Sequence, residues 1–355
     1  MLNRRTALIF TDADRANAAS AVKQQLSALM PGGAVIIIDD AELYADAFKD
    51  FLEKVFGIPA NIEKRLADRR ERKIRSLVSV TPQSANTFKP ADAYRRMENI
   101  LNRYTPELVV SIGFGAFNEA VAVRDKQGAN FKVVAYIDDF ALNRQLINTY
   151  MDGYVVCDMA IKTTLVNAKV DEDSVKLAAI AVGKGFLEAP SKAEALNNLK
   201  ISAAKPVVTM VCTGKGDYSE YFSAASRFAD EITFLAYCGE NRLSYRQAIK
   251  CGLYAYNEGA SLPELYSAAE AVMTPPESYY AAAAATTGKI LALTAPRDNL
   301  EKMNADKLKA YSENASDEYA AENFFRHLLA GKLKPVPLPM PANGVGEALL
   351  SFADE

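Results

Sequence analysis

Two pairs of carboxylates and one glycine-rich turn are the residues of this chain whose types and spacing best suit chemistry. Asp138 and Asp139 end the apolar run FKVVAYIDDF, and Asp12 and Asp14 follow the run TALIF in TDADRAN. A carboxylate at the end of a buried run becomes a proton acceptor at neutral pH when it is desolvated or crowded by a second one. The same aspartates also suit the plainer task of capping the helices that follow them. The third feature is Thr213, Gly214, Lys215 and Gly216, directly after PVVTMVC. Glycines let the backbone approach an anion and Lys215 adds a point charge, so this turn suits a phosphate. Read for structure alone, it is a tight strand-to-helix turn. It is not a Walker A loop, which needs GxxxxGK followed by Ser or Thr.

The elements that must position these residues are short apolar runs alternating with helical patterns. TALIF and GGAVIIIDD read as the first two strands, with the alanine-rich ANAASAVKQQLSALM as a helix between them. From Ala45 to about Tyr104 only helical pattern is found, and strands return at Leu108 to Ile112, Lys132 to Ile137, Gly153 to Cys157 and Val175 to Ala181. After the polar helix SKAEALNNLKIS a second round begins with PVVTMVC and continues through ITFLAYCGEN, LYAYNEG, AVMTPP and KILALTAPRD. Two rounds of strand, loop and helix predict an α/β protein with two Rossmann-like domains facing each other across a cleft. The boundaries expected are 1–188 for the first domain, 189–330 for the second and 331–355 for a proline-containing tail. SDEYAAENFFRHLLAGKL is expected to cross back toward the first domain. Successive residues at a strand end point to opposite faces, so one of Asp138 and Asp139 is expected to face the cleft.

The bulk numbers bound the class. With 355 residues, half of them hydrophobic and 24% charged, the chain exceeds the size at which one core stops growing. A net charge of -3 argues against nucleic acid, which needs a concentrated basic surface. Cys157, Cys212, Cys238 and Cys251 are widely spaced, without zinc-ligand spacing, and read as reduced thiols of a cytoplasmic protein. ALIF is too short for a signal-peptide core, and no run reaches the roughly 20 apolar residues of a membrane span. Any membrane contact is therefore expected to be peripheral, on the inner surface. Residues 45–75 suit such a contact: Phe48, Phe51, Leu52, Val55 and Phe56 share a face, followed by Lys64, Arg65, Arg69, Arg70, Arg72, Lys73 and Arg75. Asp68 and Glu71 interrupt the basic run, and an ordinary solvated helix face is the alternative.

The block PELVVSIGFGAFNEAV from Pro106, followed by FKVVAYIDDF and MDGYVVCDMAIKTTL, resembles the end of the N-terminal domain of GT-B sugar transferases. The likeness is to the glycolipid-forming group: monogalactosyldiacylglycerol synthases, processive diacylglycerol glucosyltransferases and lipid II N-acetylglucosaminyltransferases. The resemblance implies metal-independent transfer of a hexose from a UDP-sugar to a lipid or small amphiphilic acceptor, with no cofactor besides the donor. It places Gly214, Lys215 and Gly216 near the phosphates. Tyr237 to Asn241 looks like the family's strand ending in glycine and asparagine, and NEGASLPELYSAAEAVMTPP like the wall around base and ribose. Glu301 and Asn304 stand where the family keeps a glutamate and an asparagine near the transferred sugar.

The chain departs from that pattern at several reactive positions. Pro275, Pro276, Glu277 and Ser278 replace a lysine, a proline and two glycines, and Ala283 stands where the ribose-holding glutamate belongs. Glu277, with Ser278, is expected to reach the ribose from the loop instead. Asn143 occupies the place of a histidine, and the chain's one histidine is His327, near the other end. A carboxylate is therefore expected to serve as base: Asp139 first, then Asp14, with Asp138 beside them. Three readings follow: a UDP-sugar hexosyltransferase, a catalytically silent relative that binds a nucleotide sugar or a partner, and a nucleotide-sugar epimerase on the same scaffold.

Overall fold

The computed structural model describes residues 5–12, 15–40, 43, 91–113, 116–202, 204–214 and 216–354. Contacts divide the chain into two compact units, Met1–Ala181 together with Met340–Glu355, and Val182–Pro339. The first unit contains β1 (Thr6–Thr11), α1 (Ala16–Leu29), β2 (Ala34–Asp39), α2 (Ala91–Tyr104), β3 (Leu108–Ile112), α3 (Phe117–Gln127), β4 (Lys132–Ile137), β5 (Gly153–Val156), α4 (Met159–Asn167) and β6 (Val175–Leu177). The second begins with α5 (Lys184–Leu187), α6 (Lys192–Leu199), β7 (Val207–Val211), α7 (Ser219–Ser226), β8 (Thr233–Gly239), α8 (Arg242–Lys250), β9 (Tyr254–Asn257) and α9 (Leu262–Ala268). It continues with β10 (Ala271–Thr274), α10 (Ser278–Thr286), β11 (Ile290–Leu293), α11 (Asn299–Leu308), β12 (Glu313–Asn314) and α12 (Glu318–Leu329). The last helix, α13 (Val345–Ala353), belongs to the first unit.

Each unit is a six-stranded sheet, ordered β2-β1-β3-β4-β5-β6 and β12-β11-β10-β7-β8-β9. Their ladders are parallel throughout. Helices cover a parallel sheet on both faces, which is why its strands read as continuous apolar runs. Every residue of β3, β5, β7, β10 and β11 is buried. The edge strand β9 (YAYN) has no buried residue. Helix α1 buries Ala18, Ala19, Ala21, Val22 and Leu26, a stripe at helical spacing that lets it lie close to the sheet. No helix among the described residues is long and apolar enough to cross a membrane.

The expected crossing helix stays where it starts. Phe325 of α12 is buried, with its ring centroid 4.9 Å from Phe234 and 5.6 Å from Phe228, so SDEYAAENFFRHLLAGKL closes the core of the second unit. Its amphipathic pattern foretold burial but not the partner. The return is made instead by the residues after Met340, where the amide of Ala179 donates to Asn343 O at 3.0 Å. Helix α13 then packs on β3, β4 and β5 and on α1. Two glycines make that approach possible. A Cβ at Gly346 would stand 2.8 Å from the Cβ of Gln25, and one at Gly153 would fall inside the ring of Phe352. Phe352 is 2% exposed, and Lys176 Nζ lies 3.9 Å from its ring centroid while donating to Ser351 Oγ at 2.7 Å. Replacing Gly153 by alanine should overpack this notch and cost about 1–3 kcal/mol in urea unfolding of the first unit. A loss below about 0.5 kcal/mol would mean that Phe352 turns aside freely.

Candidate functional site

In an open parallel sheet the crevice for a ligand lies beyond the carboxyl ends of the strands, where the winding reverses and neighbouring crossovers leave on opposite faces. The strand orders place that point between β1 and β3 in the first unit and between β7 and β10 in the second. Each crevice is occupied by an arginine held among carboxylates.

In the first unit the arginine is Arg15, at the start of α1. It is bonded to Asp138 through Nη1, to Asp139 Oδ2 through Nη1 and Nη2 at 3.0 Å each, and Nε lies 3.6 Å from Asp12 Oδ2. The backbone follows from a glycine: Gly113, at φ +98°, ends β3 with the space of its missing Cβ 2.8 Å from Asp12 Oδ2 and 3.2 Å from the Arg15 side chain. Both aspartates are buried, Asp138 at 8% and Asp139 at 9% exposure. The expected alternation of the two is corrected here. Strand β4 stops at Ile137 and the chain turns, so the period of two no longer applies and both carboxylates reach one guanidinium. Burial opposes the charge on Arg15, yet attraction to Asp138, Asp139 and Asp12 outweighs it and raises its pKa further. Burial, opposed by Arg15 and assisted by Asp139 and Asp12, pushes the carboxyl of Asp138 up to about 7. One proton of this cluster is thus poised near neutrality.

Two other polar side chains of this unit have structural partners. Cys157 Sγ donates to Asp139 O at 3.3 Å, and burial pushes its thiol up, so it is no nucleophile. Asn143, at the place the resemblance assigns to a histidine, accepts the amide of Gln145 at 3.0 Å and caps a short 3-10 turn. His327 sits exposed in the last turn of α12.

In the second unit the arginine is Arg297, just after β11, and it joins three strand-end loops. Nη1 donates to Thr213 O at 3.0 Å in the loop after β7, and Nη2 pairs with Glu277 in the loop after β10. Nε donates to Glu301 Oε1 at 2.8 Å while the backbone amide of Arg297 donates to Glu301 Oε2 at 2.7 Å. Glu301 lies in the first turn of α11, whose N-cap Asp298 accepts its amide at 2.9 Å. Burial opposes the charge of Arg297, but Glu301 and Glu277 raise its pKa on balance.

The glycine turn after β7 is shaped by these neighbours. Gly214 has φ +69°, a left-handed conformation that side chains resist, and a Cβ there would stand 2.9 Å from Arg297 Nη1. A Cβ on Gly216 would stand 2.8 Å from the ring of Tyr218, whose hydroxyl donates to Thr213 O at 2.9 Å. Both glycines therefore have a packing reason, in addition to any ligand. Asn241 caps α8 by accepting the amide of Ser244 at 3.1 Å and donates Nδ2 to Gly216 O at 3.2 Å, tying the loop after β8 to the same turn.

Of the residues singled out from sequence, Gly214, Gly216, Asn241, Glu277 and Glu301 thus belong to one neighbourhood. Ser278 is buried beside Glu277 at the start of α10, and Asn304 is buried one turn beyond Glu301 on α11. Asp14, Lys215 and all of 45–75 lie outside the described residues. Arg15 and Arg297, the centres of the two clusters, were not foreseen. The available signal was an arginine in the loop just after an apolar run with acidic residues beside it, as in TDADRAN and TAPRDNLE.

No protein-family model matches the chain, and no curated protein matches it. Solved structures are similar in fold over nearly its whole length. HepE from Anabaena in complex with UDP has 13% identity and TM-score 0.55, covering 99% of this chain and 94% of its own. The UDP-GlcNAc 2-epimerase of Neisseria meningitidis bound to UDP-GlcNAc has 13% identity and TM-score 0.56, covering 99% and 98%. A glycosyltransferase from Rickettsia africae has 13% identity and TM-score 0.51, covering 99% and 94%. The chain has the two Rossmann-like units of these GT-B-type proteins.

Proposed function

We propose that the chain is a UDP-sugar enzyme that transfers a hexose, without a metal, to a lipid or small amphiphilic acceptor. One observation carries this reading: at the switch point of the second unit, Arg297 joins the Gly214–Gly216 turn, the loop before α10 and the start of α11. A leaving diphosphate needs donors and positive charge there, which helix N-termini and a guanidinium supply. Lys215, Asn241, Ser278 and Asn304 are proposed as further contacts to the nucleotide sugar. As the anomeric bond breaks, the acceptor hydroxyl loses its proton, and we assign that proton to the Asp138–Asp139 pair. Asp138 is favoured within the pair because its carboxyl lies near neutrality. Asp14, next to Arg15 in the sequence, is the reserve candidate. Residues 45–75 are proposed to meet anionic lipid, which cosedimentation with phosphatidylglycerol vesicles tests.

Epimerisation of the nucleotide sugar is the second reading. A carboxyl near 7 both takes and returns a proton, which epimerisation requires, and the epimerase structure similar in fold has UDP-GlcNAc bound. Incubation with UDP-glucose, UDP-galactose and UDP-GlcNAc, with and without lipid extract, separates the two. Acceptor-dependent release of UDP supports transfer, and isomerisation of the donor without acceptor supports epimerisation. Binding of UDP-sugar with neither reaction supports a silent relative. No binding of UDP at millimolar concentration overturns all three.

A further inference from the structure

The two carboxylates on Arg297 are not equivalent. Glu301 is 5% exposed and is bonded to both the backbone amide and Nε of Arg297, within its own helical turn, so it fixes the guanidinium in place. Glu277 reaches Arg297 only through Nη2, from a loop twenty residues away in sequence, and its side chain is 29% exposed. It is also the N-cap residue of α10, yet its carboxylate makes no cap bond and turns to the arginine instead. The charges of this group sum to -1, from one arginine and two glutamates. That balance is unfavourable for a diphosphate while both glutamates stay in place.

We infer that Glu277 is an internal stand-in for the phosphate, which it yields to the incoming nucleotide, leaving Arg297 with Glu301 as its remaining carboxylate and Thr213 O on Nη1. The inference rests on the proposed binding of a nucleoside diphosphate at this crevice and says which contact must break for it. Removal of Glu277 leaves a neutral Arg297–Glu301 pair, and Nη2, which Glu301 also holds, can then donate to an anion in place of Glu277. A part-exposed ion pair is weak, so the competition it exerts is modest and readily reversed by a dianion that also meets the amides at the start of α10. The expected effect is accordingly a tuning of affinity rather than a block.

Titration calorimetry of the full chain with UDP tests this. Glu277→Gln should bind UDP about threefold more tightly than the unsubstituted protein, the change expected when a weak competing ion pair is lost. Glu240→Gln, which removes the same charge from the loop after β8, is the control and should change binding by less. Weaker or equal binding by Glu277→Gln, while the unsubstituted protein binds, overturns the stand-in role and leaves the proposed function standing. Equal tightening by both variants also overturns it, since a general charge effect then suffices. Failure of the unsubstituted protein and of Glu277→Gln alike to bind millimolar UDP overturns the function and the inference together. Thermal melting of both variants should match the unsubstituted protein within about 2 °C, which keeps a folding defect apart from a binding one.

Discussion

Replacing Arg15 by glutamine should destabilise the first unit by about 3–5 kcal/mol at pH 8, among the largest losses a single substitution gives. The reason is what stays behind. Asp138 and Asp139 are buried, and with Asp12 they draw on the guanidinium of Arg15, so its removal leaves like charges crowded without that charge between them. The deficit should depend on pH, and its sign follows from the direction of the shift. The folded-state carboxyl of Asp138 is raised above its ordinary value, so its contribution is fully present below that ordinary value and is lost as pH rises through about 7. Without Arg15, whose charge lowers it, the carboxyl of Asp138 binds its proton more strongly still, so the variant should recover part of its loss at pH 5, where Asp138 is protonated in the folded state. Urea unfolding at pH 5 and pH 8 reads this directly. A loss under about 1 kcal/mol, or the same loss at both values, would show that the cluster relaxes into water once the arginine is gone.

Turnover should fall by about 10²- to 10⁴-fold in Asp138→Asn, the range expected when a general base is removed. Asparagine keeps the size of the side chain and an oxygen that accepts from Arg15, so the fold and the binding of UDP by the second unit should remain unchanged. The pH profile distinguishes a proton carrier from a residue that only positions. A base must be unprotonated to act, so the rate should climb as pH rises through about 7, and the residual rate of Asp138→Asn should lack that inflection. Asp139→Asn is the companion variant. It accepts from two nitrogens of Arg15, and if it is the orienting member, its loss should lower the rate while preserving the inflection at a shifted position. An Asp138→Asn protein with undiminished turnover would remove the cluster from the chemistry.

The strands were legible in the sequence because both faces of a parallel sheet are covered. LVVSI, KVVAYI and PVVTMVC carry no polar alternation to confuse the pattern; the first two share the limits of β3 and β4, and the third overruns β7 by one residue at each end. β12, two polar residues at the sheet edge, carries no such signal. The path of the chain after α12 was not legible, since an amphipathic face such as that of EYAAENFFRHLL states that it will be buried but not against which unit. The glycine turn after β7 and the carboxylates after β4 were found from their chemistry, but the two arginines were overlooked. An arginine in a polar loop looks solvated when read along the chain. Only the strand order, which brings the loops after β1, β3 and β4 to one crevice and those after β7, β10 and β11 to another, turns it into the hub of a cluster.

The seating of Phe352 against Gly153 bears on how the polypeptide is made. A ribosome delivers residues 182–339 before 340–354, so the second sheet has all its strands while the first still lacks the helix that covers β3 to β5. The earlier-born half must wait, with apolar surface uncovered, for the later-born half to finish. A released chain that ends at residue 339 should accordingly recruit holding chaperones through its first 181 residues, not through residues 182–339.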